Sequence, residues 1–306
     1  MSKEKEEHEP VFGIIYGVPK SGKSVSLLKA FVDGLFVAPP GALMCSEFLG
    51  FKPNVRDVVP GIGVERIIKL IDRESKNYPA IIIDDFTLIA DAELLTIRAK
   101  VPGFAAFDVF NKRIYQLRDV ARNSKCHIFL VMHEQAPREV KKDNHTRWIP
   151  GAPLIAGWQL PEKLPAMADF VARMRYDDDV VSAWPYVYNT EPDANYITGS
   201  RLPMIPEVFP PNIREVMLAS GYDLPRPAEL KWLDKVADEV CKELVKAPQL
   251  TGSSVKDVLS KMLPALAKKH ADKDTRHLRW AISDGVDRAT LRFHEKNLLD
   301  NFVQSF

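Results

Sequence analysis

Residues 11–32 read VFGIIYGVPKSGKSVSLLKAFV, and the fold is decided inside this stretch. Gly17, Gly22, Lys23 and Ser24 stand at the spacing G-x-x-x-x-G-K-S, the P-loop pattern. The apolar run Val11 to Tyr16 predicts a short buried strand, and Val25, Leu28, Val32, Leu35 and Phe36 recur at helical spacing as far as Val37. Strand, glycine loop and helix is the context the pattern needs. Glycines let successive N–H groups turn into one concavity, and the helix starting near Gly22 adds its positive N-terminal end. The stretch therefore predicts a nucleoside triphosphate site built from Gly17, Val18, Pro19, Lys20, Ser21, Gly22, Lys23, Ser24 and Val25. Lys23 is expected to reach the β- and γ-phosphates and take part in catalysis, and Ser24 to ligate Mg²⁺. Lys23 is also expected to face phosphate rather than pack, so that its loss leaves the fold intact.

Strand-like and helix-like segments alternate outward from the loop to about Tyr176, the signature of an α/β fold with a parallel sheet. Ala42 to Cys45 reads as the second strand, Val64 to Ile71 as a helical stripe, and Ala80 to Ile83 as a buried strand. Phe104 to Asn123 is a long amphipathic helix, and Cys126 to Met132 another buried strand. Residues 136–159 are polar and carry no periodicity, which reads as a long functional loop. Late strands are expected at 169–176 and 180–189, with a hairpin at 177–179. DLPRPAEL, 223–230, reads as a linker, followed by helices at about 228–246, 254–270, 272–283 and 287–300. The expected organisation is a tail at 1–10, a core at 11–222 and a small C-terminal helical domain at 223–306.

Composition narrows the class. The chain has 306 residues and a formal net charge of +1, so any basic binding surface must be local. Cys45, Cys126 and Cys241 form no C-x-x-C pair and suggest neither a disulfide frame nor a zinc site. No apolar run approaches membrane-spanning length and no signal sequence is evident, so a cytosolic protein without a membrane partner is expected.

AIIIDDF, 80–86, is an apolar strand ending in acid, the Walker B pattern. Asp84 is expected to hold the Mg²⁺ opposite Ser24, with Asp85 assisting or capping the next segment. Hydrolysis also needs a group that orients or deprotonates water. Glu47, just past the expected second strand, is the first candidate for that base. His133 and Glu134 end the strand after Walker B; if that strand lies between the P-loop and Walker B strands, one of them faces the γ-phosphate. His127, inside the same strand, reads as a core residue or a helix-face contact.

Together VFGIIYGVPKSGKS, the CSE at 45–47, AIIIDDFTLIADAE and CHIFLVMHEQ resemble the RecA-type ATPase core over about residues 10–220, in particular the compact phage and prophage ATPases that include the Sak-type single-strand annealing and recombination proteins. The resemblance implies a RecA-like P-loop core with a mainly parallel sheet flanked by helices, turnover of ATP with Mg²⁺, action on DNA, and a ring or filament with ATP at subunit interfaces. It implies a water-activating glutamate at Glu47 and a basic residue reaching a neighbouring subunit's nucleotide, for which Arg201 in TGSRLP is the matching position. The family often has a lysine and arginine pair there; this chain has Arg201 alone.

In that fold the loops after the sensor strand line the DNA path. Here they hold Arg138, Lys141, Lys142, His145, Arg147 and Trp148, with Trp158 further on. Cations with interleaved aromatics suit single-stranded DNA, phosphates pairing with Lys and Arg and bases stacking on rings; a solvated loop is the competing reading. A second cluster, Lys268, Lys269, His270, Lys273, Arg276, His277, Arg279 and Trp280, is either a DNA or partner contact or the wet face of a helix. Beside a DNA-dependent recombination or replication ATPase stand a packaging or helicase-loading motor, a small-molecule kinase and a nucleotide-gated scaffold.

Overall fold

The structure is a computed structural model that describes residues 9–57, 63–142, 145–157, 159–177, 181, 185–202 and 205–304, without the side chains of 57, 142, 145 and 297–304. FGIIYG forms β1 (Phe12–Gly17), buried at every position, as a strand covered on both faces must be. The P-loop leads into α1 (Lys23–Ala30). Then come β2 (Leu35–Ala38), α2 (Ser46–Leu49), β3 (Asn54–Asp57), α3 (Val64–Glu74), β4 (Ala80–Ile83), α4 (Phe86–Arg98), α5 (Ala105–Arg122) and β5 (His127–Met132). Four short strands follow, β6 (Glu134–Gln135), β7 (Arg138–Lys142), β8 (His145–Ile149) and β9 (Ala152–Pro153), then α6 (Leu160–Met167) and β10 (Phe170–Tyr176). The chain closes with β11 (Tyr186–Asn189), β12 (Gly199–Ser200), β13 (Val208–Phe209), α7 (Ile213–Ala219), α8 (Lys231–Leu244), α9 (Gly252–Lys269) and α10 (Thr275–Gln304).

The central sheet runs β13-β11-β10-β1-β5-β4-β2-β3, with β12 pairing the start of β10. From β10 to β3 every pairing is parallel; β11, β12 and β13 add antiparallel pairings at the other edge. Alternation assigns the two faces. Ile15, Phe36, Ile82, Phe129 and Ala172 point toward α1, α7, α8 and α10. Ile14, Val37, Ile83, Leu130 and Val171 point toward α3, α4, α5 and α6. The strand order puts β5 between the P-loop strand and the strand that ends in Asp84. No described helix is long and apolar enough to cross a membrane.

Four sequence expectations are corrected. The helix after the P-loop stops at Ala30, and Leu35 to Ala38, all four buried, are the second strand; Ala42 to Cys45 are a turn. A short apolar run fits either periodicity; the helix closes at Phe31, whose amide donates to Leu27 O at 2.9 Å, and the chain then turns, the Gly34 amide donating to Phe31 O at 2.9 Å. The polar stretch at 136–159 contains an antiparallel hairpin, β7 with β8, pairing Arg138 to Ile149 and Val140 to Arg147. The expected linker is packed: Leu224 and Leu230 are buried, and Arg226 is 4% exposed, paired with Asp284. The expected helices at 272–283 and 287–300 are one helix, α10, which runs through Gly285. The expected turn at 177–179 and Trp158 lie partly or wholly outside the described residues.

Gly285 continues the helix because α8 lies against it. A Cβ there would stand 2.6 Å from Val240 Cβ and 2.8 Å from Ala237 O. Alanine in place of a mid-helix glycine gains about 1 kcal/mol of propensity, whereas overpacking costs about 1–3 kcal/mol. With backbone oxygen among the obstacles the steric term wins. Gly285→Ala is therefore expected to destabilise the protein by about 1–2 kcal/mol, read as a lower midpoint in urea; a raised midpoint would refute this packing.

Candidate functional site

Backbone conformation shapes the loop first. Gly17 (φ 150°), Lys20 (φ 62°) and Gly22 (φ 101°) turn the chain around the sheet's C-terminal edge. A Cβ on Gly17 would stand 2.4 Å from Met174 O, so only glycine lets β10 approach. Lys23 and Ser24 then begin α1, at its positive end. The Lys23 side chain is packed, contrary to expectation: it is 7% exposed, and its ammonium donates to Gly17 O at 3.1 Å and Val18 O at 2.7 Å. A buried ammonium needs hydrogen-bond acceptors, and the loop carbonyls supply them. Burial lowers its pKa to about 8, although Asp84, Asp85 and Glu134 pull the other way.

Across the loop Asp84 is buried at the end of β4. Ser24 Oγ donates to Asp84 Oδ2 at 3.0 Å, and the Asp85 amide to Asp84 Oδ1 at 3.1 Å. Burial raises the Asp84 carboxyl above its usual range despite these two bonds. A hydroxyl and a carboxylate this close, at a helix N-terminus, are an oxygen donor set for a hard divalent cation, so the residues present fit Mg²⁺. Asp85 adopts the left-handed conformation (φ 55°) and lies 3.2 Å from His133 Nε2. His133 is fixed from behind: its amide donates to Thr87 Oγ1 at 3.0 Å, and that hydroxyl donates to Leu154 O at 3.0 Å. Lys23, Ser24, Asp84, Asp85 and His133 all line one cavity of about 480 Å³. That is the size of a small-ligand site.

Other expected residues lie elsewhere. Glu47 is exposed on α2 and does not line the cavity; its neighbours Cys45 and Phe48 do. Its expected place rested on a second strand at 42–45, and that strand ends at Ala38 instead. Glu134 turns away into a two-point ion pair with Arg173, at 2.7 and 3.3 Å, and the guanidinium stacks on Tyr196 at 3.3 Å. Arg201 is exposed at the opposite edge of the sheet, where its amide donates to Asp169 O and its guanidinium to Ala166 O at 3.1 Å. Asp169 precedes β10, whose Phe170 pairs with Gly13, so the length of β1 separates Arg201 from its own P-loop. His127 is partly buried at the start of β5, its ring against Phe31 and accepting the Val11 amide at 3.0 Å, its pKa lowered to about 4 by burial.

Sequence reasoning missed Cys45, Phe48 and Thr87. Thr87 carries a signal, a hydroxyl one turn past the Walker B acids; Cys45 and Phe48 enter the cavity only because α2 folds over it.

The basic stretch divides as its strand register dictates. Arg138 and Arg147 share one face of the hairpin, and Lys141 and Trp148 the other. Arg138 and Lys141 are exposed, Arg147 lies 3.4 Å from Glu162, and Trp148, 46% exposed, donates its indole N–H to Ala194 O at 3.0 Å. The Lys142 side chain lies outside those described. The C-terminal cluster also divides: Lys268, Lys269, Lys273, Arg276 and Arg279 are exposed, while its rings pack inward. Trp280 is 3% exposed and stacks on Phe51, His270 stacks on Trp232, and Lys269, Lys273 and Arg276 pair with Glu239, Asp272 and Asp274.

The sequence matches no protein-family model and no curated protein. Among solved structures the chain is similar to a KaiC-like protein from the hyperthermophilic archaeon Pyrococcus horikoshii OT3, at 13% identity over 60% of this chain and 79% of that one, with a TM-score of 0.38. It is also similar to the RadB recombinase, at 15% identity over 58% of this chain and 79% of that one, with a TM-score of 0.35.

The lowered Lys23 pKa has a measurable consequence. Below pH about 8 the ammonium is charged whether or not a polyphosphate is bound. Above it the free protein has lost a proton that phosphate binding restores. Binding of triphosphate is expected to take up close to one proton at pH 9, and the association constant to fall about tenfold per pH unit there. Calorimetry at pH 9 in buffers of differing ionisation enthalpy measures the uptake; zero uptake would show that Lys23 does not titrate on binding.

Proposed function

We propose that this chain binds ATP with Mg²⁺ and hydrolyses it, as a RecA-like P-loop ATPase of the phage and prophage type that acts on single-stranded DNA in recombination or replication. One observation carries the reading: Lys23, Ser24 and Asp84 converge on one cavity, with Ser24 Oγ 3.0 Å from Asp84 Oδ2. In the roles proposed, Lys23 exchanges its loop carbonyls for phosphate oxygens, the backbone amides of 17–25 hold the phosphates, and Ser24 and Asp84 hold the Mg²⁺ that neutralises them. The RecA-like assignment draws support from β5, which lies between β1 and β4 and delivers His133 to the cavity.

Water orientation is assigned to Asp85 with His133, because both side chains line the cavity and the Glu47 side chain does not. DNA contact is assigned to the β7–β8 hairpin through Arg138, Lys141, Lys142, Arg147 and Trp148, where Arg138 and Lys141 present exposed cations. Arg201, at the far edge, enters this reading only as a residue offered to a second subunit of a ring or filament.

A set of turnover measurements without DNA, with single-stranded DNA and with duplex tests the proposal. Wild type is expected to release phosphate from ATP, faster with single strands. Lys23→Ala is expected to lose nucleotide binding, and wild-type affinity in it would end the assignment. Asp85→Asn is expected to slow turnover by about 100-fold or more with affinity retained, and Glu47→Gln by less than about tenfold; the reverse order would return the role to Glu47. Arg138→Ala with Lys141→Ala is expected to lower the salt slope of single-strand binding by about 1.4, the share of two phosphate contacts. Stimulation by duplex alone would favour a packaging or helicase-loading motor.

A further inference from the structure

Helix α2 is four residues long and has little stability of its own. It nevertheless borders the cavity: half-buried Cys45, just before it, and Phe48, on it and 79% exposed, line the space shared with Ser24 and Asp84. Within it only the Gly50 amide closes the last turn, donating to Ser46 O at 3.1 Å and Glu47 O at 3.2 Å. Helix α10 supplies donors for two carbonyls there. Arg276 Nη1 donates to Glu47 O at 3.1 Å, and the His277 Nε2 nitrogen meets Gly50 O at 3.1 Å. Gly50 is in the left-handed conformation (φ 75°), and a Cβ on it would lie 3.0 Å from His277 Nε2 and 3.2 Å from Arg276 Nε. Behind this contact Phe51 stacks on Trp280, with ring centroids 5.8 Å apart.

The same helix grips the opposite wall. Lys29, on α1, forms an ion pair with Asp284 at 2.6 Å, and Asn212 donates to Asp284 and Asp287 at 2.9 and 3.0 Å. Lys29 and Asp284 are both buried. Helix α1 begins with Lys23 and Ser24. From Arg276 to Asp284, α10 spans about 12 Å, so one rigid element ties the phosphate-binding helix to the wall that faces it.

We propose that α10 is a brace that positions the α2 wall of the nucleotide cavity, with Arg276 and His277 as the positioning residues. The proposal rests on the ATPase reading above. The P-loop amides and Lys23 hold phosphate without help from α2. The α2 wall instead lines the side of the cavity shared with Ser24 and Asp84, where its placement sets the space left for the metal and the terminal phosphate. Freeing α2 therefore costs turnover far more than affinity for the diphosphate. This gives the C-terminal helices a task at the nucleotide site and accounts for Arg276, His277 and Trp280 without DNA.

Cys45 supplies a readout independent of activity. It is the one partly exposed cysteine; Cys126 and Cys241 are buried. Burial holds the Cys45 thiol up at about 11, so a maleimide should label it slowly at pH 8. The test uses the full chain and three readouts: Cys45 labelling rate, ADP affinity and turnover of ATP. Arg276 is 50% exposed, so Arg276→Ala removes no core. Arg276→Ala combined with His277→Ala is expected to label about tenfold faster and turn over about tenfold slower, the weight of one to two such hydrogen bonds. ADP affinity should stay within about threefold, and Arg276→Lys alone, which keeps a donor, should restore most of the turnover. Unchanged labelling in Arg276→Ala and in the double variant overturns the brace. Faster labelling with unchanged turnover overturns its catalytic role, as does an ADP affinity that falls in step with turnover. A wild type that labels slowly but hydrolyses no ATP fails the ATPase reading instead, while the labelling comparison still decides the brace.

Discussion

A parallel sheet from β10 to β3 has two apolar faces, and neither can be left to water. The rest of the molecule follows from that constraint. One face is closed by α3, α4, α5 and α6, which the chain lays down between its strands. The other receives only α1 and the short α7 from the alternating part, too little to cover it. The helices after residue 230 complete that cover: Leu233, Val236, Val240, Trp280 and Ala289 belong to the same hydrophobic cluster as Ile15, Phe36 and Phe129 of the sheet. The C-terminal helices are thus part of what keeps β1 straight and the P-loop in place.

That cover is bonded as well as packed. Lys29, Arg214 and Arg226 are all less than a tenth exposed, and each meets an acid from a different element: Asp284 and Asp287, Asp234, and Asp284 again. Asp287, pushed up to about 6 by burial, is held by Lys29 and Asn212. Such pairs add little net stability against well-packed apolar residues, yet removing one partner costs about 3–5 kcal/mol, because a charge is left buried alone. Their effect is therefore on register. They admit one arrangement of α1, α7, α8 and α10, where greasy contacts would tolerate several.

Within the cavity the charges are held at odds with their surroundings. Burial pushes Lys23 toward its neutral form and Asp84 toward its protonated form. A phosphate beside the ammonium and a cation beside the carboxylate would relieve both at once. Groups arranged this way cost stability in the free protein and return it on binding, the pattern expected of a functional site rather than a structural ion pair. The left-handed backbone at Asp85 points the same way, since a non-glycine residue is held there only when its surroundings over-determine it.

What the sequence determined by itself was local. GVPKSGKS carries its pattern in contiguous amides and one adjacent lysine, so its reading needs no distant partner. AIIIDDF likewise places an acid at a strand end, and alternation of apolar segments sets the α/β class. Tertiary structure alone decided which strand is second, because LFVA fits a helix or a strand until β4 pairs with it. It decided that His133 enters the cavity and Glu134 does not, because one residue of strand advance turns a side chain to the other face and Arg173 waits on that side. It packed Lys23 against its own loop, sent Arg201 to the far edge through the pairing of Ser200 with Phe170, and brought Arg276 and His277 of the basic cluster at 268–280 onto the carbonyls of the α2 segment. Apart from the Lys23 contact, which closes within its own loop, these outcomes depend on groups far apart in the chain, up to 229 residues between Arg276 and Glu47, and no periodicity or motif encodes a meeting at that separation.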